Sequence, residues 1–457
     1  MPMRRLVLAV VLVTIVAALA VAAAPQSRTW QMAGARDLDN ILPERERAAL
    51  VNGWLAWRLD NIVPMVMRRE GIDLWLVINR EYNEDPVYMS MVSEPAMNAR
   101  RLSILIFHDR GPGGFKKLTA NWHGTGSAGR LYEAIFKDRS KGWKGQFETV
   151  AAYIREHKPN KIGLNISEHW AFGDGLSVGL FRELEKALDP ADRKKIVSAE
   201  NLCIGWLETR SPMELSVYRH LNGIAHDVIA EFFSNRVIVP DVTTTEDVVW
   251  WIRQKFTDLG VGTWFQPSIS IQRSPQDAER YGKGDRTIRR GDVLHCDIGI
   301  SYLGLSTDTQ HNAYVLRLDE EDAPAGLKEV LRRGNRLQEI FMDEFRAGRT
   351  GNEIYLAALA KARAEGIEGR IYTHPLGIHG HAAGPTMGLV EAQEGVPVQG
   401  DYPLYENTCY AIELNCSHTV PEWGGAKVTL GLEDGGVFTK DGCRWIDGYP
   451  RSFYLIK

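Results

Sequence analysis

Only five of the 457 residues are cysteine, Cys203, Cys296, Cys409, Cys416 and Cys443, an odd count without a CxxC pair. That spacing excludes zinc-finger and thioredoxin-type chemistry. One or two disulfides are compatible with it, but a chain of this length buries enough surface to fold without them. Charge of one sign is equally scarce: 54 Lys and Arg stand against 58 Asp and Glu, a formal charge of −4, with no long like-charge run. Nucleic acid is therefore not an expected partner, because nothing offers its backbone a continuous cationic track. The short cluster Lys137, Arg139, Lys141 and Lys144 is diluted by Asp138 and small residues and reads as a solvated loop.

Long apolar runs are absent except at the start, where Arg4 and Arg5 precede an almost unbroken stretch from Leu6 to Ala24. A basic flank, an apolar stretch and small-x-small sites such as Ala20-Val21-Ala22 make residues 1–24 an export signal. An uncleaved N-terminal anchor is the alternative, since the run is just long enough to cross a bilayer. Either way the body is expected outside the cytoplasm, and membrane contact arises only if the segment is retained.

Residues 38–205 read as an α/β domain. Leu50, Trp54, Trp57, Ile62 and Met65 fall at helical spacing, while Leu74–Ile78, Leu102–Phe107 and Ile162–Ile166 are short apolar strand runs. Gly124-Thr-Gly126-Ser-Ala-Gly129 fits GxGxxG and precedes a plausible helix at Leu131, but it lies far inside the domain and is a weak sign of dinucleotide binding. Gly175-Leu-Ser177-Val-Gly179 fits a nucleophile elbow, which needs a strand before the serine. None is apparent there, so a helix cap at Asp174 or Ser177 is the simpler reading.

Residues 206–457 form a second unit. Ser211-Pro212-Met213-Glu214 is a capping box, Thr243-Thr-Thr-Glu246 a second, and Thr350-Gly-Asn-Glu353 a third. The order is two helices then strands to about Leu316, followed by a helix from about Ala325 to Ala347, another to Gly366, and strands again. That repetition suggests a duplicated α+β domain with a cleft where its halves meet.

Acidic residues interrupt those strands. His295-Cys-Asp297 to Asp308 reads as a hairpin turning at about Tyr302 to Gly304, with Asp297 and Asp308 as cross-strand partners. Like charges opposite one another call for a cation between them. His374-Pro-Leu-Gly-Ile-His379-Gly-His381-Ala-Ala-Gly384 packs three imidazoles into eight residues, and Glu413 and Glu433 each end an apolar strand. Carboxylates with one imidazole suit two divalent ions and hydrolysis; manganese is the expected metal, with cobalt and zinc also matching the donors.

These residues resemble the pita-bread metallopeptidases, the family of methionine aminopeptidase, Xaa-Pro aminopeptidase and prolidase, with metal-free creatinase as a relative. The family's DxG, second Asp eleven residues on, GHxxG, strand-borne IE and final ED match Asp297, Asp308, His381, Glu413 and Glu433 in order. The likeness implies that Asp308 and Glu433 bridge two metals, that Asp297 chelates one, and that His381 with Glu413 completes the other. It further implies a creatinase-type N-terminal domain, removal of one N-terminal residue from small peptides in the manner of Xaa-Pro aminopeptidase or prolidase, and proton transfer by Glu413. The sequence departs from the pattern at Ala278-Glu279-Arg280-Tyr281, where a PHY-like histidine is usual, at Thr309-Gln310-His311, where TR follows the second Asp, and at Gly388, where a histidine usually stands seven residues after that of GHxxG. His379, His311 and His374 are the candidates to replace these groups, His379 first as a catalytic residue. A non-catalytic peptide-binding module and a hydrolase of another small amide are the alternatives. Trp250 and Trp251 leave room for a homodimer surface.

Overall fold

The structure, a computed structural model, describes residues 36–457 apart from 95, 123–125 and 283, so the expected export signal lies outside it. The N-terminal unit is a six-stranded mixed sheet in which Leu74–Arg80 pairs antiparallel with Leu102–Asp109 and parallel with Ile162–Leu164. Both central strands are continuous apolar runs because both faces are covered. Trp75, Val77, Leu105 and Phe107 pack under the helices Glu44–Glu70 and Glu200–Glu208, whereas Leu74, Leu76, Ile104 and Ile106 pack under Gly142–His157 and Val178–Ala187. Ser177 caps this last helix, its Oγ accepting from the Leu180 amide at 3.4 Å, and no strand precedes it. The expected helix at Leu131 is absent: Gly126–Leu131 is 3-10 turn, Gly129 adopts φ 68°, and the chain passes into the short strand Glu133–Ala134.

The second unit begins at Pro212, where the Ser211 and Glu214 capping box forms as the sequence suggests. Helices Pro212–Phe232 and Thr245–Leu259 pack with strands Ser268–Gln272, Val293–Ile298 and Thr309–Val315 around one core. Helices Ala325–Met342 and Gly351–Ala364 pack with strands between Glu368 and Trp445 around another. The duplicated α+β architecture is thus built around two cores, each of which also takes in residues of the other half: Leu376, Cys409 and Val437 enter the first, Val293, Tyr314 and Leu316 the second. The second capping box sits one residue later than expected, with Thr244 and Asp247 exchanging bonds, because the Thr243 hydroxyl is already taken by the Val239 amide at 2.9 Å. The helix from Ala325 stops at Met342 instead of Ala347, where Arg349 reaches back to Glu344 and Gly348 turns the chain at φ 82°.

The helix Glu200–Glu208 spans the expected division between residues 205 and 206, and its Leu202, Trp206 and Leu207 pack in the N-terminal core. A buried ion triad then ties the two units together. Glu214 accepts from Arg58 Nη1 at 2.9 Å and from Arg210 Nη1 at 3.1 Å, while Arg58 also donates to the carbonyls of Thr209 and Trp206. All five cysteines are free.

Candidate metal centre

The first carboxylates come from a hairpin whose register differs from the expected one. Leu303 and Gly304, both at positive φ, form a two-residue turn that pairs Tyr302 with Leu305, which sets Asp297 opposite Gln310 instead of Asp308. Asp308 nevertheless shares their face, because it lies two residues before Gln310 and side chains alternate along a strand. Ligand oxygens of Asp297, Asp308 and Glu433 accordingly lie within 4.8 Å of one another.

Glu413 and Glu433 each sit in the step between consecutive strands of the second half, Thr408–Ala411 to Leu414–Val420 and Ala426–Leu432 to Gly435–Thr439. Thr373 brackets the first: its Oγ1 accepts from the Glu413 amide and donates to the Glu413 carbonyl, both at 3.0 Å. Gln310 Nε2 donates to Glu413 Oε1 at 2.6 Å, and Gln310 and Glu433 exchange backbone bonds at 3.0 and 3.2 Å. The two halves are therefore stitched together at the centre itself.

The imidazole among these carboxylates belongs to His374. Its Nε2 lies 3.3 Å from Glu433, 3.4 Å from Asp308 and 3.9 Å from Glu413, and its Nδ1 lies 3.0 Å from the Pro375 carbonyl. A carbonyl only accepts, so Nδ1 keeps its hydrogen and Nε2 turns toward the carboxylates as a ligand would. The expected ligand His381 lies beside it, ring centroids 4.6 Å apart, with its ligand atom within 4.8 Å of those of His374 and Asp308. It meets neither Glu413 nor Glu433 in the groups of close donors. The cause is geometric: His374 opens the strand His374–Leu376, paired to Ala411 two residues from Glu413, whereas His381 follows in the loop. The sequence carried this arrangement too. His374-Pro-Leu-Gly377 has the HxxG spacing, with Thr373 in place of the first glycine, and His381 stands seven residues on.

His379, expected as a catalytic group, joins none of these donor groups; its ring packs on Phe172 of the N-terminal unit at 4.9 Å. His311 lies behind the centre, against Asp434. Trp264, which the sequence did not single out, donates Nε1 to the Thr307 carbonyl and packs on His381. A Cβ on Gly380 would fall 1.9 Å from the Trp264 ring, so only glycine lets the loop pass.

Electrostatics point the same way. Asp297 Oδ1, Asp308 Oδ1, both Glu433 oxygens and His374 Nε2 are buried without a hydrogen-bond partner. Burial, reinforced by Asp308 and Glu413, pushes the Asp297 carboxyl up to about 8; burial and Asp308 raise Glu413 to about 7. Burial also drives Glu433 well above the carboxylate range, while Asp308 and Glu413 raise His374 against its own burial. Orphaned, mutually repelling oxygen donors with one imidazole are a donor set that divalent cations satisfy. The centre opens into a cleft of about 430 Å³ whose walls include Trp170 and Phe172 from the N-terminal unit and Leu389 and Val390 from the second.

Residues 216–439 match the family described as metallopeptidase family M24. No curated protein sequence matches the chain. Among solved structures it is similar to an X-Pro aminopeptidase from Thermotoga maritima, with 18% identity and a TM-score of 0.59 over 86% of this chain and 99% of that one. It is also similar to a Xaa-Pro dipeptidase from Bacillus anthracis, with 17% identity and a TM-score of 0.56 over 88% and 99%. Aminopeptidase P from E. coli gives 12% identity and a TM-score of 0.56 over 86% and 94%. At these identities the likeness is one of fold.

Proposed function

From a chain that belongs, through residues 216–439, to metallopeptidase family M24, we propose a dinuclear-metal peptidase that removes the N-terminal residue of small peptides. The observation that carries the reading is the convergence of five buried, unpartnered donor atoms from Asp297, Asp308, His374 and Glu433 beside a cleft that His374 and Glu413 line. Asp297, Asp308, His374, Glu413 and Glu433 would hold the metals, with manganese the first choice. His374 takes the ligand place that the sequence pattern gave to His381, and His381 takes that of the histidine seven residues on. Divalent ions bound there supply an activated water and polarise the scissile carbonyl.

The protein's own groups do the rest. Glu413, held near neutrality by burial and Asp308, is poised to take a proton at a carboxylate oxygen and release it to the leaving amine. Gln310 holds the other oxygen of Glu413 in place. His381, kept below the ordinary imidazole range by burial and by His374, is neutral at pH 7 and faces the cleft as a hydrogen-bond partner for substrate. Trp170 and Phe172 shield the reacting bond from bulk water. A preference for proline in the second position is supported by the fold neighbours, which include an X-Pro aminopeptidase and a Xaa-Pro dipeptidase, and by the small cleft. Export is supported by the composition of residues 1–24 alone.

The test is to express the chain from about residue 25 onward, strip and reload it with Mn²⁺, count ions and assay Xaa-Pro dipeptides and tripeptides. Two ions per chain, lost in Asp308→Ala, with metal-dependent release of the first residue, is the expected result. A folded chain that holds no metal overturns it.

A further inference from the structure

Behind the metal centre, on the opposite face of the backbone that carries Gln310 and Glu433, lies a buried chain of ionisable groups. His311 Nε2 and His226 Nε2 each lie 3.0 Å from Asp434 Oδ1, and His226 Nδ1 lies 2.8 Å from Asp447 Oδ2. His226 is 1% exposed, His311 5% and Asp434 8%. Asp434 directly follows Glu433, and His311 directly follows Gln310. Alternation along the two paired segments therefore sends Gln310 and Glu433 into the centre and His311 and Asp434 away from it.

The charge balance of this chain is definite. Both nitrogens of His226 meet carboxylate oxygens, which accept only, so the ring carries two hydrogens and a positive charge. The same pairing raises its affinity for a proton against its burial, to about 9. Tyr449 stacks on the ring at 4.2 Å, and one turn earlier on the same helix Asn222 presses so closely on the following residue that a Cβ on Gly435 would fall 2.3 Å from its amide. Helix Pro212–Phe232, from the first half of the domain, thus fixes the Glu433, Asp434 and Gly435 backbone of the second.

We propose that His226 and His311 are positioning residues that clamp Asp434 from behind and so hold Glu433 in the metal centre, in the manner of a built-in cation. The inference rests on the reading of Glu433 as a metal ligand. His311, three residues after Asp308, faces Asp434 and not the centre, so an arginine at that position would offer a permanent cation to the same carboxylate.

The experiment measures Mn²⁺ affinity and stoichiometry on the full mature chain for wild type, His226→Phe and His226→Phe/His311→Arg, with peptide kinetics on the loaded enzymes. Phenylalanine keeps the stack on Tyr449 and removes both hydrogen bonds. The expected result is two ions throughout, affinity about 10- to 100-fold weaker in His226→Phe, as for loss of outer-shell support, a fall in kcat at nearly constant KM, and at least tenfold recovery of affinity with the added arginine. Should His226→Phe not fold, Asp447→Leu, which removes the acceptor for His226 Nδ1, reads the same link, and an unchanged Mn²⁺ affinity there overturns the clamp. Wild-type affinity in His226→Phe overturns it alone, as does a third ion in wild type that vanishes with His226, which would make the cluster a metal site. A wild type that binds no Mn²⁺ overturns the metal reading and the clamp with it.

Discussion

Gln310 Nε2 donates to Glu413 Oε1 at 2.6 Å, so a neutral amide from the first half of the domain holds a carboxylate of the second. The amide is fixed in turn, since His295 Nε2 lies 3.0 Å from Gln310 Oε1. An amide suits the position because another carboxylate would add to the repulsion and a cation would compete with metal. Gln310→Leu should leave Glu413 Oε1 unpaired and cost about 1–3 kcal/mol of stability, read by urea unfolding of the metal-free protein. Mn²⁺ affinity should fall as well, and unchanged values in both measurements would show that the contact carries no function.

The three histidines of the 374–381 loop should separate cleanly. His374→Ala should lose at least one ion of two. His381→Ala should keep both ions and lose turnover by about 10²-fold or more, the scale of a proton-transfer or substrate-orienting group. His379→Ala should do neither, and should only loosen the contact with Phe172. Ion counts and kcat on the same preparations check this; loss of metal in His381→Ala with retention in His374→Ala would exchange their roles.

Part of the arrangement around these residues was legible in the sequence. The four carboxylates could be picked out because charge at a strand end has no packing benefit: Asp297 and Asp308 meet Glu433, Glu413 meets Glu433 beside His374, and His381, picked out by its glycines, lies with Asp308 and His374. The choice among the histidines turned on a glycine before the ring, whereas the imidazole that faces Glu413 and Glu433 follows Thr373, whose hydroxyl ties down both the amide and the carbonyl of Glu413. Helix starts at Pro212 and Gly351 were readable from caps that act within four residues. The hairpin register was not, since moving the turn to Leu303 and Gly304 changes every cross-strand partner. The walls of the cleft were not readable either: Trp170 and Phe172 reach it only through the packing of one unit on the other.

The metal-free protein should be less stable in mild alkali than in mild acid. Asp297 at about 8 and Glu413 at about 7 bind protons in the folded state at pH values where the unfolded chain, with ordinary carboxyls, has lost them. Their contribution is present in full below about pH 4 and is lost as pH rises through 7 and 8. Thermal melts in chelator should therefore fall between pH 6 and pH 8.5, whereas Mn²⁺-loaded protein should not show this fall, and metal loading in weak buffer at pH 7 should release protons. A chelated protein whose melting temperature rises over that interval would show that the cluster is not strained.

The triad of Arg58, Glu214 and Arg210 is the strongest candidate for a joint between the two units. Glu214 is buried between two guanidinium groups that hold its carboxyl below the usual range despite burial, and its own oxygen accepts from the Ser211 amide that begins the helix. Removing Glu214 leaves two cations facing one another in the interior, whereas removing Arg58 also unpairs the carbonyls of Thr209 and Trp206. Either change should cost about 3–5 kcal/mol, as for breaking one side of a buried pair. Replacing Arg58 and Glu214 together by Met and Leu should cost less than the single changes combined, because no unpaired Glu214 carboxylate is left behind. Since Trp170 and Phe172 belong to the N-terminal unit, loosening this joint should also raise KM while the ion count stays at two. Stability by chemical denaturation with peptide kinetics on the same variants checks both halves of the argument, and a stable Glu214→Ala with unchanged KM would mean that the two units are held together elsewhere.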